Sequence, residues 1–233
     1  MTAVTKTMFA LWGDDLTTTL HAISLPERLA GLGIERLQVN IDDEPVARAM
    51  RIATTTPAIG AIVSVWTPAD GDVAGEVLGQ VASVLESAAE RVAGWEVEER
   101  RPIAPEEAWD GSRLDGLANV ALLRRPAELS HEEWLHRWLV DHTPVAIATQ
   151  GTFGYIQNVV VRPVTPDAPA VAALVEELFP SAGIDDIHAF YGSGGSDAEL
   201  TERITRMMAS ITRFGADRDL DLVPTSRYLY SLA

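Results

Sequence analysis

The sequence predicts an α+β protein in which two tandem β-α-β-β-α-β units pack sheet against sheet within one chain. Three observations support this prediction. The apolar period alternates between strand-like and helix-like spacing, and the same order of elements occurs twice in 233 residues. A third is internal similarity between the halves. Three pairs of similar segments follow one another in the same order: Ile34–Asn40 with Thr152–Asn158, Ile62–Trp66 with Ile187–Tyr191, and Ala89–Arg91 with Ala216–Arg218.

The first unit is expected at 1–105, followed by a linker at 106–113. Apolar and β-branched runs predict four strands in this unit, at Met8–Trp12, Ile34–Ile41, Ala61–Trp66 and Trp95–Arg101. A helical region broken near Pro26 separates the first two strands, because proline does not fit a helix interior. Apolar residues three and four apart from Val73 to Ala88 predict an amphipathic helix before the last strand.

The second unit is expected at 114–233. Its strands are predicted at Ala118–Leu123, Phe153–Val161, Ile184–Tyr191 and Asp219–Tyr230. Ser130 with Glu133, and Ser196 with Glu199, fit the capping box and predict helices that begin at His131 and Asp197. An additional Ala-rich helix is predicted at about Ala168–Leu178, between the two middle strands.

The β-α-β-β-α-β order is that of a ferredoxin-like unit, whose helices cover only one face of the sheet. Two units in one chain can cover both bare faces by packing them together as a barrel, with a core or a cavity between the sheets. Since both halves are present in the chain, we expect either a monomer or a homodimer formed through helices or edge strands.

Composition excludes several classes of function. A formal net charge of −16 argues against nucleic-acid binding and against attachment to anionic membrane surfaces, which both need a basic face. The absence of cysteine excludes disulfides, thiolate nucleophiles and thiolate metal sites. The chain has no apolar run near the roughly 20 residues of a membrane span and no signal-peptide pattern at its N-terminus, so a cytoplasmic location is expected. No metal and no cofactor are expected.

The segment Leu129–Ala146 carries the most informative pattern. Trp134, Trp138 and His142 are spaced four apart and therefore share one face of the predicted helix. Pro144 should break or kink this helix just after His142. Burial against the two indoles should lower the pKa of His142, which leaves the ring neutral at pH 7 and available as an acid, a base or a hydrogen-bond partner. The alternative is a helix-terminal histidine bonded to a backbone carbonyl.

Leu129–Pro144, together with Tyr155-Ile156-Gln157-Asn158, resembles the EthD-like family of the dimeric α+β barrel superfamily. Asp185–Tyr191 and Ala216–Asp221 are similar to two further motifs of that family. The resemblance covers most of 114–233, and it implies a barrel with a pocket for a hydrophobic small molecule.

Carried over to matching positions, the resemblance implies cavity residues Trp138, His142, Tyr155, Asn158 and Tyr191. His142 would be the catalytic acid or base, and the others would contact the ligand. Tyr155 and Asn158 point to opposite faces of one strand, so at most one of them can line the cavity. The family often has an acidic residue in its third strand, at a position that corresponds here to Ala189, so an acid–base pair is expected to be incomplete.

Three functions follow as hypotheses. The first is a cofactor-free enzyme, of cyclase, dehydratase or decarboxylase type, acting on a hydrophobic aromatic or polyketide-like compound in a barrel cavity. The second is a non-catalytic protein that binds such a compound. The third is a degenerate barrel with a packed interior and no ligand.

Overall fold

The fold is seen in a computed structural model that describes residues 4–68 and 71–232. The first three positions of the predicted first unit and the last position of the predicted second unit therefore lie outside the described residues. The strands of these ranges are β1 (Val4–Trp12), β2 (Arg36–Ile41), β3 (Ala61–Pro68), β4 (Arg91–Ile103), β5 (Asp110–Arg113), β6 (Leu117–Leu123), β7 (Gly154–Pro163), β8 (Ala173–Phe179) and β9 (Asp221–Ser231). The α-helices are α1 (Leu16–Ala22), α2 (Leu25–Ala30), α3 (Gly71–Glu86), α4 (His131–Leu135), α5 (Thr143–Thr149), α6 (Ile187–Tyr191) and α7 (Asp197–Thr212). A π-helical turn at His136–His142 joins α4 to α5, and short 3₁₀ turns lie at Glu44–Val46 and Ser181–Ile184.

Eight of these strands form a closed antiparallel barrel. Hydrogen-bonded neighbours follow the order β2-β3-β1-β4-β7-β8-β6-β9, and β9 pairs back with β2. Each half alone has the strand order of a ferredoxin-like unit, and the halves join through β4–β7 and β2–β9. The predicted fold class is therefore confirmed. Among the described residues, no helix has both the length and the apolar character needed to cross a membrane.

Two element predictions in the second half are wrong. Ile184–Tyr191 was expected to be the third strand, but Asp186 caps a helix there by accepting from the His188 N–H, and Gly192 ends it at a φ of 64°. The true third strand is β8, which begins within the segment predicted as the Ala-rich helix and ends one residue beyond it. Residues on both faces of β8 are buried, so its sequence lacks the polar alternation that identifies a half-exposed strand.

Side chains occupy the barrel interior in two zones. One zone is apolar and joins Met8, Ala10 and Trp95 of the first half to Val120 and Leu174 of the second. The other zone is polar and charged. The outer faces of the sheets are covered by helices, with one apolar layer under α1, α2 and α3 and another under α4, α5 and α7.

The charged zone centres on Glu176, whose side chain is fully buried. Lys6 Nζ lies 2.7 Å from Glu176 Oε1, and Gln38 Nε2 donates to Oε2 at 2.5 Å. Arg227, on β9, donates to Gln38 Oε1 at 3.0 Å. Burial alone would raise the pKa of Glu176, but the charges of Lys6 and Arg227 and the hydrogen bonds from Lys6 and Gln38 outweigh it and hold the pKa at about 2.

Replacing Lys6 tests this pair, since Lys6→Met leaves the Glu176 carboxylate buried without its nearest counter-charge. We expect a loss of about 3–5 kcal/mol in the free energy of unfolding, measured by urea titration. Arg48→Ala is the control, because Arg48 and Asp185 form a pair whose side chains are 78% and 47% exposed. That variant should lose less than about 1 kcal/mol, and equal losses in the two variants would contradict the assigned role of Lys6.

Candidate functional site

The helical stretch that carries the sequence motif is continuous from His131 to Thr149. We expected Pro144 to break or kink this helix, but the helical stretch continues through it, with Pro144 in the first turn of α5, directly after the π-helical turn. The Thr143 N–H instead reaches the Trp138 carbonyl, which is the five-residue spacing of a π turn. Turns of this type occur often at functional sites. As predicted, Ser130 Oγ accepts from the Glu133 N–H, at 3.1 Å.

The two indoles and the histidine of the motif are all buried in the helix layer outside the barrel. Trp134 and Trp138 have no exposed surface, and their ring centroids are 5.2 Å apart. His142 packs against α7, with Nδ1 2.9 Å from Ser210 Oγ and its ring centroid 4.7 Å from that of Phe214. We expected Trp138 and His142 to line a cavity between the sheets, and their position in the helix layer corrects that expectation. The expected pKa shift is confirmed, since burial lowers the pKa of His142 to about 4.

Tyr155 and Asn158 point to opposite faces of β7, as their spacing predicts. Asn158 faces the barrel interior, where its Nδ2 donates to Glu176 Oε1 at 3.1 Å. Tyr155 faces the helix layer, is 1% exposed and packs in the same apolar cluster as Trp138. The side chains of Trp138 and Gln157 lie at its hydroxyl group.

Tyr191 lies in α6, outside the barrel, instead of on a third strand. It is half-buried and packs against the same helix-layer cluster as Trp138 and Tyr155. The Gly151 N–H donates to the Phe190 carbonyl at 2.7 Å, which holds α6 against the end of α5. A Cβ atom at Gly151 would clash with the Ala189 carbonyl, so this close approach requires glycine.

The carboxylate expected to be missing is present on the true third strand. Because β8, and not Ile184–Tyr191, occupies that place, Ala189 is not its counterpart. The strand instead carries Glu176 toward the barrel interior and Glu177 toward the helix layer. Sequence reasoning missed both acids because their segment was interpreted as a helix. The signal that indicates the correct assignment is the pair of helix caps, Asp186 and Gly192, which marks the next segment as helical.

Glu177 links Gln150, Tyr155 and Tyr191 into one cluster. It is the direct cross-strand partner of Tyr155 in the β7–β8 ladder. Its Oε1 accepts from the Gln150 side-chain amide at 3.0 Å, in the amide orientation that satisfies both groups. Burial raises the pKa of Glu177 to about 7, although the Gln150 hydrogen bond opposes the shift. Burial and the nearby Glu177 charge raise the pKa of both Tyr155 and Tyr191, so both hydroxyl groups stay protonated at neutral pH.

We call Gln150, Tyr155, Glu177 and Tyr191 the Glu177 cluster. It combines a carboxyl group that can gain or lose a proton near pH 7 with two phenolic hydroxyl donors. Residues with strongly shifted pKa values concentrate at functional sites. His142 and Asn158 are not part of this cluster, since one packs against α7 and the other faces the barrel interior. Among the described residues, no group of three or more His, Asp or Glu side chains is placed to hold a metal ion.

Comparison with solved structures supports the fold assignment. An anthrone oxidase-like protein is 10% identical, over 99% of this chain and 93% of that chain, with a TM-score of 0.59. A candidate monooxygenase from Lactobacillus acidophilus NCFM is also 10% identical, over 100% of this chain and 98% of that chain, with a TM-score of 0.49. At this identity, the similarity to the anthrone oxidase-like protein shows the barrel fold alone. No family model and no curated protein matches the chain.

The low pKa of His142 has a consequence for acid stability. The unfolded imidazole takes up a proton near its usual pKa of 6.5, whereas the folded ring does so only near 4. The contribution of the neutral His142 ring to the free energy of unfolding is therefore fully present above pH 6.5, and it falls as the pH drops toward 4. We expect His142→Gln to show a smaller fall in Tm between pH 7 and pH 5 than the unsubstituted protein. His131→Gln, at an exposed position, should leave that fall unchanged, and an unchanged fall in His142→Gln would contradict the linkage.

The raised pKa of Glu177 predicts the opposite dependence of stability on pH. The Glu177 carboxyl ionises near pH 4.5 in the unfolded chain but only near pH 7 in the folded one. Its contribution to the free energy of unfolding is therefore greatest below pH 4.5 and decreases as the pH rises to 7. Glu177→Gln removes the cost of a buried charge. The Tm of this variant should exceed that of the unsubstituted protein at pH 8 by more than it does at pH 5. An equal difference at the two pH values would show that Glu177 ionises normally.

Proposed function

We propose that this protein is an acid–base enzyme acting on a hydrophobic aromatic or polyketide-like small molecule, with Glu177 as the group that moves a proton. One observation carries the proposal. A carboxyl group whose pKa is about 7 lies in the helix layer beside two protonated tyrosines. A general acid or base is most effective when its pKa is near the working pH, and burial is a common means of reaching that value.

Each member of the Glu177 cluster has a role in this proposal. Glu177 takes a proton from a carbon atom that is made acidic by conjugation with a carbonyl group, and it returns the proton to the product. The half-buried Tyr191 donates a hydrogen bond to the oxygen that gains negative charge. Tyr155 and Gln150 hold the carboxylate in position from the adjacent strand and from the end of α5. Trp138 supplies an apolar wall that keeps the site poorly solvated.

The EthD-like resemblance supports the substrate class, because EthD-like and related barrels include cyclases, dehydratases, decarboxylases and proteins from monooxygenase pathways. Such reactions share a proton transfer near a carbonyl group, and a carboxyl group can catalyse it without a cofactor. His142, the catalytic residue expected from the motif, is replaced in this proposal by Glu177. The low pKa of His142 and its contact with Ser210 on α7 fit a structural role in the packing of that helix.

The two alternatives predict different results. A binding protein would use the same cluster to hold a ligand without proton transfer. A degenerate barrel with no ligand is favoured by one observation, namely that side chains occupy the barrel interior in both its apolar and its charged zone. That arrangement argues against a ligand between the sheets, and it is compatible with a site in the helix layer.

Anthrone is a suitable first probe, since one protein of similar fold is named as anthrone oxidase-like. Its methylene protons exchange with deuterium in D2O through a proton abstraction, which NMR follows without oxygen. We expect the protein to accelerate this exchange and Glu177→Gln to slow it by about 100-fold. Glu132→Gln, an exposed acid on α4, is the matched control and should retain the full rate.

Binding of anthrone, measured by calorimetry on the same samples, separates the alternatives. Binding that survives in Glu177→Gln while exchange is lost supports the enzyme. Binding with no acceleration by the unsubstituted protein supports the binding protein, and the absence of both supports the packed barrel.

A further inference from the structure

We propose that a cleft in the first half binds a hydrophobic amine, at a site separate from the Glu177 cluster. The cleft has a volume of about 820 Å³ and lies between the two short helices α1 and α2 and the outer faces of β2 and β9. A pocket that takes a drug-sized ligand typically has a volume of about 300–1,000 Å³. We call it the α1–α2 cleft.

The floor and walls of the α1–α2 cleft suit an apolar or aromatic body. Val39 and Ile41 of β2 line it, together with Leu20 and Leu25 of the two helices. The rings of Tyr228 and Tyr230, on β9, add two aromatic surfaces. An apolar lining with few polar groups is typical of small-molecule sites, and tyrosine offers both a ring face and a hydroxyl group.

The α1–α2 cleft remains open because α1 and α2 are short helices separated by a turn at residues 23–24. They have seven and six residues, and the cap of each helix is a non-glycine residue with positive φ, Asp15 at 51° and Ser24 at 50°. Such backbone strain often occurs at ligand sites. In the second half, the corresponding layer lies under a helical stretch that begins at His131, and the fully buried Trp134 and Trp138 fill it.

Charge determines which ligand class fits. A second cavity of about 580 Å³ shares Thr17 and Thr18 with the α1–α2 cleft, and its lining includes Asp15, Asp42, Asp43 and Glu44. Arg51 neutralises Asp42 at 3.0 Å. Within the described residues, no cationic side chain pairs with the other three acids.

Among the described residues, Asp43 accepts from the hydroxyls of Ser226 at 2.7 Å and Tyr228 at 3.3 Å. Arg113 Nε donates to the same Ser226 hydroxyl at 2.7 Å, so it approaches Asp43 through that hydroxyl without pairing with the carboxylate directly. Since Tyr228 also lines the α1–α2 cleft, an ammonium group beyond Thr18 can meet these carboxylates while the apolar body stays in the cleft. His21 and Glu27 are the titratable rim groups from the helices. The net charge of −16 further favours a cation over an anion.

Dansylcadaverine, a fluorescent hydrophobic amine, and its N-acetyl derivative, which lacks the charge, provide a matched pair of probes. Fluorescence titration of the full chain should give a Kd for the amine that is lower by about fivefold, as expected for a partly exposed ion pair. The double variant Asp43→Asn/Glu44→Gln should weaken this preference, because it removes two of the three acids that have no cationic partner among the described residues. Glu132→Gln/Asp167→Asn removes the same charge from exposed positions elsewhere and should preserve it.

Thr18→Trp tests the location, because the exposed Thr18 lines both cavities and its replacement does not disturb the core. It should weaken binding of both probes, whereas Thr205→Trp on the exposed face of α7 should not. Equal affinity for the two probes, an unaffected Thr18→Trp variant or the absence of binding would each overturn the proposal. Glu177→Gln should bind both probes normally, so this outcome is independent of the proposed enzyme activity.

Discussion

The buried ion pair between Lys6 and Glu176 is the contact on which the architecture depends. One partner comes from the first strand of the first half and the other from the third strand of the second half, and each is 3% exposed or less. A charge removed from water needs a full set of partners, and Gln38, Asn158 and Arg227 complete that set from three further strands. These five side chains meet only when the two sheets face each other in one register. The pair therefore links the interior of the barrel to the pairing of its halves.

Much of the fold could be predicted from sequence because its signals are local. Capping serines and apolar spacings of three and four residues identify the helices at His131 and Asp197. The error at Ile184–Tyr191 has a physical cause, since a short helix with alternating apolar residues imitates a strand when its caps are ignored. β8 shows the reverse problem. It is covered on both faces, so burial removes the polar alternation that would have identified it as a strand.

The candidate site was predictable only in part, for a related reason. Period-two spacing separates Tyr155 from Asn158, but it does not indicate which face meets the helices and which meets the opposite sheet. Trp138 and Tyr155, both expected to line the cavity between the sheets, pack in one apolar cluster in the helix layer. Glu177 could not be identified, because its shifted pKa depends on burial beneath residues distant in sequence. Such a property belongs to the folded state and has no local pattern.

The pairing of β9 with both β2 and β6 has a consequence for synthesis on the ribosome. A nascent chain that has completed the first half presents two unpaired strand edges, β2 and β4, and a sheet face on which Lys6 has its partner Glu99 but not yet Glu176. The β2 edge stays exposed until residues 221–231 leave the exit tunnel, since β9 is the strand that pairs with this edge among the described residues. Unpaired edges promote association between chains. The interval before β9 emerges is therefore when the β2 edge is most open to association with other chains, and slow translation of the second half prolongs it.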